Sequence, residues 1–242
     1  MTGRTRGVTL LELLLVVALL SLLSLAMFTA MRIGLSAFSK ADDKLMINRR
    51  AAGAQRILQS ELEGLVPAMA LCGAGDPGVE QPTTRLMFFG GEPAALHLVS
   101  TFSLQEGWRG HPQVLELFVI PGEERGVRLV VNELPFTGSL GAGRLCRVRP
   151  DSPALQFMPA QSGPTSFVLA DKLAYCRFAY LTPAADPNQP ATWEPLWTRQ
   201  DLPLAIRVEM APLDADPSQV QPISITAPVY LHRYPEIPYA DY

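Results

Sequence analysis

The chain has 242 residues, of which 48% are hydrophobic, and its formal net charge at neutral pH is −3. This length allows one anchored domain of ordinary size or two small domains. The slightly acidic balance excludes the basic surface that nucleic-acid binding requires, so we expect no nucleic-acid partner.

The first 33 residues combine a basic start with an apolar block. Residues 1–7, "MTGRTRG", carry Arg4 and Arg6 and no acidic residue. Residues 8–33 are almost entirely apolar, and their one acidic residue is Glu12. Because about 20 apolar residues span a bilayer, the block predicts a membrane helix. The basic flank predicts that its N-terminus is cytoplasmic.

Two familiar interpretations of this block do not account for Glu12. A cleaved secretory signal has a similar basic start, and "SLA" at 24–26 resembles its small-residue cleavage site, but an acid inside the apolar core is poorly tolerated. A plain membrane anchor leaves the acid unexplained, because a carboxylate at the membrane centre costs about 2.5–3.5 kcal/mol on insertion scales.

The stretch "G-V-T-L-L-E" offers a third interpretation, because it resembles the class III signal of type IV pilins and type II secretion pseudopilins. The resemblance implies that a prepilin peptidase cuts between Gly7 and Val8 and that the new amino group of Val8 is N-methylated. It also implies that Glu12 pairs with the terminal amine of a neighbouring subunit. Arg4 and Arg6 would hold the leader on the cytoplasmic side. Val8 departs from the family, whose first mature residue is usually Phe or Met.

The apolar block continues into an amphipathic pattern without a break. No proline occurs before Pro67, which predicts one helix over residues 8–66. Polar residues, Glu61 and Glu63 among them, fill the positions between the apolar ones. Apolar residues recur at steps of three, four or seven at Leu35, Phe38, Leu45, Ala52, Ile57, Leu58, Leu62 and Leu65.

Residues 67–242 have the pattern of a β-rich head domain. Aliphatic and aromatic segments are separated by turn sequences such as "GGEP" and "ADPNQP", which predicts seven or so strands in one or two sheets. "VIPGEERGVRLVV" predicts a hairpin. The predicted strands are 85–90, 95–102, 113–120, 126–134, 165–181, 204–211 and 223–231.

A second motif indicates a subgroup of the family. "ATWEPLWTRQDLPLAIRVEM" places Trp193 and Trp197 ahead of a strand entered through Pro203, and it resembles the J-type minor pseudopilins of type II secretion systems. The resemblance implies an α+β, pilin-like fold with a long N-terminal helix and a β-rich head. It also implies a tip complex with other minor pseudopilins, contact with the major pseudopilin, and contact with secreted substrates.

The three cysteines allow one disulfide if the head lies outside the cytoplasm. Cys72 and Cys146 both occur in glycine-containing loops and are the favoured pair. Cys176 suits a buried strand position. Three free thiols are the alternative.

Nothing in the sequence indicates catalysis. His97, His111 and His232 lie at no metal-ligand spacing, and no nucleophile or phosphate-binding motif occurs, so we expect no enzyme activity, no cofactor and no metal. "GAGDPG" and "GSLGAG" are interpreted as flexible loops. "DPNQPATWE" and "DADPSQ" carry oxygen ligands but lack the charge density of a calcium site.

These features together predict a minor pseudopilin of the bacterial inner membrane, with a single span, a cytoplasmic N-terminus and a periplasmic head. Its leader is 1–7, its helix 8–66 and its head 67–242. A minor type IV pilin, serving adhesion, motility or DNA uptake, shares every N-terminal feature. An anchored enzyme or carbohydrate-binding domain is the alternative of a different class.

Overall fold

The computed structural model describes residues 9–73, 83–104, 108–149, 152–184, 186, 189–213 and 223–230. The chain divides into two compact units, Met1–Arg49 and Arg50–Tyr242. An α-helix followed by a β-rich head confirms the predicted α+β class.

Helix α1 spans Leu10–Glu63 and is uninterrupted, as the absence of proline predicts. It ends three residues before the predicted position. Gly64 N still donates to the Ser60 carbonyl (2.9 Å), but Val66 N already donates to the carbonyl of Val99 in the head (2.9 Å). The helix therefore ends where pairing with the sheet begins, not at Pro67.

Gly64 is needed for this transition because the chain passes very close to the sheet. A Cβ atom at this position would collide with the Ser100 hydroxyl. The Gly64 carbonyl accepts a hydrogen bond from Thr101 N (2.8 Å), and Leu65 forms a bridge with Ser100. Glycine allows an approach between backbones that a side chain would prevent.

The described residues of the head form twelve strands and one short helix. The elements are β1 Met69–Gly73, β2 Thr83–Met87, β3 Gly90–Gly91, β4 Ala95–Ser103, β5 Trp108–Pro121, β6 Val127–Pro135, α2 Ser139–Gly143, β7 Cys146–Arg149, β8 Ser152–Phe157, β9 Phe167–Thr182, β10 Thr192–Glu194, β11 Ala205–Pro212 and β12 Ile223–Pro228. All seven predicted strands are present, with 85–90 divided between β2 and β3, but the four short strands β1, β7, β8 and β10 were not predicted. "GSLGAG" contributes to a helix instead of a flexible loop.

These strands form two sheets. The larger sheet has the order β12-β11-β9-β6-β5-β4-β3, with β10 paired to β9. The smaller sheet has the order β2-β1-β7-β8. Strands β5 and β6 form the predicted hairpin, whose turn is closed by Gly122 N donating to the Gly126 carbonyl (2.9 Å). Gly126 has φ +76°, a backbone conformation that favours glycine.

Both faces of the larger sheet are buried at β4 and β5. Leu96 and Leu115 point to one side and join the leucines of the last turns of α1 in one core cluster. Val99 and Val114 point to the other side and join residues of α2 and the smaller sheet in a second cluster. Side chains alternate across a strand, so β4 and β5 supply both cores. The result is a three-layer head: helix end, large sheet, small sheet.

The smaller sheet is held by a disulfide between Cys72 and Cys146, which are 74 residues apart in sequence. This is the favoured pair, but neither cysteine lies in a loop: Cys72 is within β1 and Cys146 begins β7, two neighbouring strands. Cys176 is a buried free thiol in β9.

Removing the disulfide is predicted to destabilise the head. A cross-link closing a loop of this length stabilises a fold by about 4 kcal/mol on the chain-entropy model. We expect Cys72→Ala/Cys146→Ala to lower the free energy of unfolding by about 2–4 kcal/mol in urea denaturation. Cys176→Ala, which leaves the cross-link intact, serves as the control and should cost less. Three titratable thiols in the denatured, unreduced protein would contradict the assignment.

Candidate functional site

The processing site that the sequence resemblance predicts lies at the start of the chain. Arg4, Arg6, Gly7 and Val8 lie outside the described residues, so the geometry of the candidate site begins at Thr9.

Thr9 and Glu12 occupy the N-terminal turn of α1. Glu12 N donates to the Thr9 carbonyl (3.1 Å) and lies 3.3 Å from Thr9 Oγ1, while Leu13 N donates to the same carbonyl (3.2 Å). Thr9 thus acts as the N-cap and Glu12 is the third helical residue. An acidic side chain there interacts favourably with the positive end of the helix dipole.

The surroundings of Glu12 are apolar and open. Its neighbours Leu11 and Leu13 are exposed. The segment Leu10–Asp42 is long and apolar enough to cross a membrane, and its most apolar stretch is not buried against the rest of the protein. Glu12 is the only acidic residue between Leu10 and Phe38. Among the described residues its carboxylate has no ion-pair partner.

Three hydroxyl side chains of this stretch form hydrogen bonds within the helix. The hydroxyls of Ser21, Thr29 and Ser36 donate to main-chain carbonyls three residues earlier, at 2.8, 2.9 and 2.9 Å. Such bonding removes the cost of placing a hydroxyl in hydrocarbon. Glu12 has no equivalent arrangement among the described residues, so its negative charge calls for a partner.

Glu61, near the other end of α1, is fully buried, and the expectation that it lies on a polar face was wrong. It faces Ser100 of β4 and the buried Glu133 of β6. Burial, reinforced by the negative charge of Glu133, raises the pKa of Glu61 to about 8, and the Ser100 hydroxyl offsets part of this rise. Within the described residues neither carboxyl oxygen of Glu61 makes a hydrogen bond of standard geometry.

The burial of Glu61 is predictable from its spacing to two core leucines on the same helix. Glu61 lies three residues after Leu58 and four before Leu65, both of which are core residues. This spacing places all three on the same helix face. The position of Glu61 on the helix therefore predicts that its side chain is buried, whereas its residue type alone predicts that it is exposed.

A row of polar side chains crosses the opposite face of the large sheet. His97, Glu116 and Asn132 are cross-strand neighbours on β4, β5 and β6. Asn132 donates to Glu116 Oε2 (2.9 Å), and His97 Nε2 lies 3.9 Å from Glu116 Oε1. His97 stacks on Phe157 of the smaller sheet (centroids 4.2 Å apart), and burial lowers its pKa to about 4. His97 is therefore a neutral packing residue.

The tryptophan loop is anchored to the head by its second tryptophan. Trp197 is buried; its backbone forms a bridge with Gly91, and its ring nitrogen donates to the Asp201 carbonyl (2.8 Å). Trp193 on β10 is only partly buried. Pro203 precedes β11 by two residues, instead of beginning it.

The remaining candidate residues do not converge on a reaction centre. The part of the chain that the structure describes contains no group of three or more metal-ligating side chains. His111 is exposed on β5. His232, the loop 214–219 and most of "GAGDPG" lie outside the described residues, as do parts of "DPNQPATWE".

Comparisons with known proteins give no further assignment. No family model matches this chain, and no curated protein matches it. The candidate site therefore rests on the geometry of α1 and on the sequence around Gly7.

Stability is predicted to depend on the protonation of Glu61. The pKa in the folded state (about 8) lies above the ordinary value of 4.5, so the folded head binds this proton more tightly. Glu61 should therefore lower the free energy of unfolding as pH rises from about 4.5 to about 8. His97, whose pKa is lowered to about 4, acts in the opposite direction between about 4 and 6.5, so the net fall is expected above about pH 6.5. Glu61→Gln removes the ionisable group and should flatten this dependence, with a gain on the order of 2 kcal/mol at high pH.

Thermal melts of the full chain from pH 5 to about 9 would measure this effect. Glu63→Gln is the matched control, because Glu63 is exposed two residues away and should leave the profile unchanged. Identical profiles for Glu61→Gln and the unsubstituted protein would show that Glu61 does not carry the dependence.

Proposed function

We propose that this chain is a minor pseudopilin of a type II secretion system, most like the J type, which acts by assembly and has no catalytic role. One observation carries the proposal: the carboxylate of Glu12, which has no ion-pair partner among the described residues, lies in the first turn of an exposed apolar helix, five residues after Gly7. The basic residues Arg4 and Arg6 lie just before Gly7 in the sequence.

The energetics favour a partner for Glu12. The helix dipole contributes about 0.3–1 kcal/mol, which is less than the cost of about 2.5–3.5 kcal/mol for a carboxylate deep in the membrane. A positively charged amine offsets more of this cost by direct pairing. Cleavage after Gly7 would create such an amine at Val8, and a neighbouring subunit would bring its own amine to Glu12. The same charge would thus recruit a neighbour and set its register.

The exposed part of α1 supports a role in a helical assembly. Leu45 and Met46 lie beyond the candidate membrane span Leu10–Asp42, yet they are exposed. Exposed apolar residues in a row mark surfaces that another molecule covers. Neighbouring helices of other minor pseudopilins and of the major pseudopilin would cover them in a tip complex.

The disulfide supports a periplasmic head. Disulfides such as Cys72–Cys146 persist in oxidising compartments and are rare in the cytoplasm. Together with the basic leader, this supports a cytoplasmic N-terminus, one span in the inner membrane and a head outside it. Prepilin peptidase would process the leader, and the assembled tip would contact secreted substrates.

A minor type IV pilin shares the N-terminal features, so the choice between the two rests on the head. The tryptophan loop favours the J type, because Trp197 anchors the segment that leads through Pro203 into β11. Genes for a secretin and a secretion ATPase beside this one would support secretion, whereas a retraction ATPase would support a pilus.

Glu12→Gln is predicted to leave leader cleavage intact and to reduce secretion strongly. The substitution keeps the shape of the side chain and removes the charge that pairs with the amine. Secretion assays in a strain lacking the native chain, together with cross-linking to neighbouring subunits, would measure the loss. Ser21→Ala, elsewhere in the apolar helix, is the control. Wild-type secretion by Glu12→Gln would refute the assigned role.

Gly7→Val is predicted to block processing, because a branched side chain beside the scissile bond obstructs close approach of the peptidase. Intact-mass analysis of the membrane-extracted protein would show a methylated chain beginning at Val8 for the unsubstituted sequence and the full-length chain for the variant. A mature terminus at any other residue would overturn the cleavage assignment.

A further inference from the structure

The outer face of β9, β10 and β11 carries two arginines stacked on aromatic rings. This arginine–aromatic face consists of Tyr175, Arg177, Trp193, Arg207 and Glu209. These residues point away from the core cluster that contains Phe178 and Val208. Arg177 and Tyr175 remain well exposed, with side-chain exposure of 63% for Arg177.

The guanidinium of Arg207 lies over the ring of Trp193. Its guanidinium carbon lies 3.8 Å from the centre of the Trp193 ring. Arg207 pairs with Ala179 in the sheet, and Trp193 pairs with Leu181 two residues further along β9. The small side chain of Ala179 leaves room for the arginine to reach across β9. Stacking of this kind fixes the guanidinium before any ligand arrives.

The hydrogen-bonding capacity of Arg207 is largely unused. Its Nε is buried and has no partner among the described residues. Its nearest acidic neighbour is Glu209, at 3.7 Å from Nη1, which is a long contact. A guanidinium offers five N–H donors in a plane that matches a carboxylate. Because Nε is buried, the donors that Arg207 can offer to a partner are those of its two Nη groups, which the head itself does not saturate.

Glu209 is more strongly engaged by the second arginine. Arg177 Nε lies 2.9 Å from Glu209 Oε2, and its guanidinium lies 5.1 Å from the Tyr175 ring. One carboxylate thus serves two arginines, and these five residues carry a net positive charge in a chain whose formal charge is −3. A negatively charged partner is the complement of this surface.

We propose that the arginine–aromatic face binds an acidic, extended segment of a partner protein, with a carboxylate on the free edge of Arg207 and an apolar side chain over Trp193. The chemistry of the face favours a peptide over a nucleic acid, because two arginines with one intervening carboxylate cannot neutralise a run of phosphates. The aromatic and alanine surface between them suits an apolar side chain next to the acid. Binding here requires neither cleavage after Gly7 nor the charge of Glu12, so it stands independently of the proposed assembly role.

A defined probe tests this assignment: a fluorescently labelled short peptide of alternating glutamate and valine, titrated with the full chain in neutral detergent micelles. Fluorescence anisotropy should show saturable binding that weakens when salt is raised from about 0.05 M to about 0.5 M. The matching glutamine–valine peptide should bind at least about tenfold more weakly. Equal binding of the two peptides, or no binding of either, would overturn the proposal.

Single substitutions distinguish specific binding by the stacked arginine from nonspecific attraction between charges. Arg207→Ala should weaken binding at least about tenfold. Arg207→Lys should also lose most of the affinity, because lysine keeps the charge but cannot form the bidentate hydrogen bonds of a guanidinium. Trp193→Ala should weaken binding, and Trp193→Phe should retain part of it. Arg125→Ala removes an exposed arginine of the β5–β6 turn and is the control. Wild-type affinity in Arg207→Lys, or equal losses in Arg207→Ala and Arg125→Ala, would refute the site, provided that near-UV circular dichroism confirms an intact head.

Discussion

The contact between Gly64 and Ser100 determines how the head is organised. Because no side chain separates the end of α1 from β4, Val66 can begin pairing with Val99 directly after the helix. The chain then continues into β1, the strand that carries Cys72, and so into the smaller sheet. A bulkier residue at 64 would push the helix end away from β4 and displace the leucines that pack there. The helix core, the sheet core and the disulfide-bonded layer all depend on this approach.

Burial on both faces of the large sheet at β4 and β5 explains the polar groups found inside it there. Strands with two covered faces have few exposed positions, so Glu61 and Glu133 meet on the helix side while His97 and Glu116 meet on the other. Charged forms are costly in such places, which favours the protonated form of Glu61 and the neutral form of His97. The head thus contains titratable groups whose protonation is determined by packing, and its stability is linked to pH through them.

Two exposed surfaces of the described residues differ in chemistry. The exposed stretch of α1 is apolar and carries a single acid, so it suits a membrane and other helices. The arginine–aromatic face is flat, cationic and already ordered by stacking, so it suits an acidic ligand. A protein that works by assembly needs separate surfaces for separate partners, because a single surface can be occupied only once.

The sequence by itself determined the features that depend on neighbouring residues. The long helix follows from the absence of proline, the β5–β6 hairpin from its turn residues, and the strong strands from their alternation. Tertiary structure alone decided the burial of Glu61, the pairing of the short strands β1, β7, β8 and β10, and the stacking of Arg207 on Trp193. Local propensity acts within a few residues along the chain. These other features arise from contacts between segments distant in sequence, where the register of the sheet selects the neighbours.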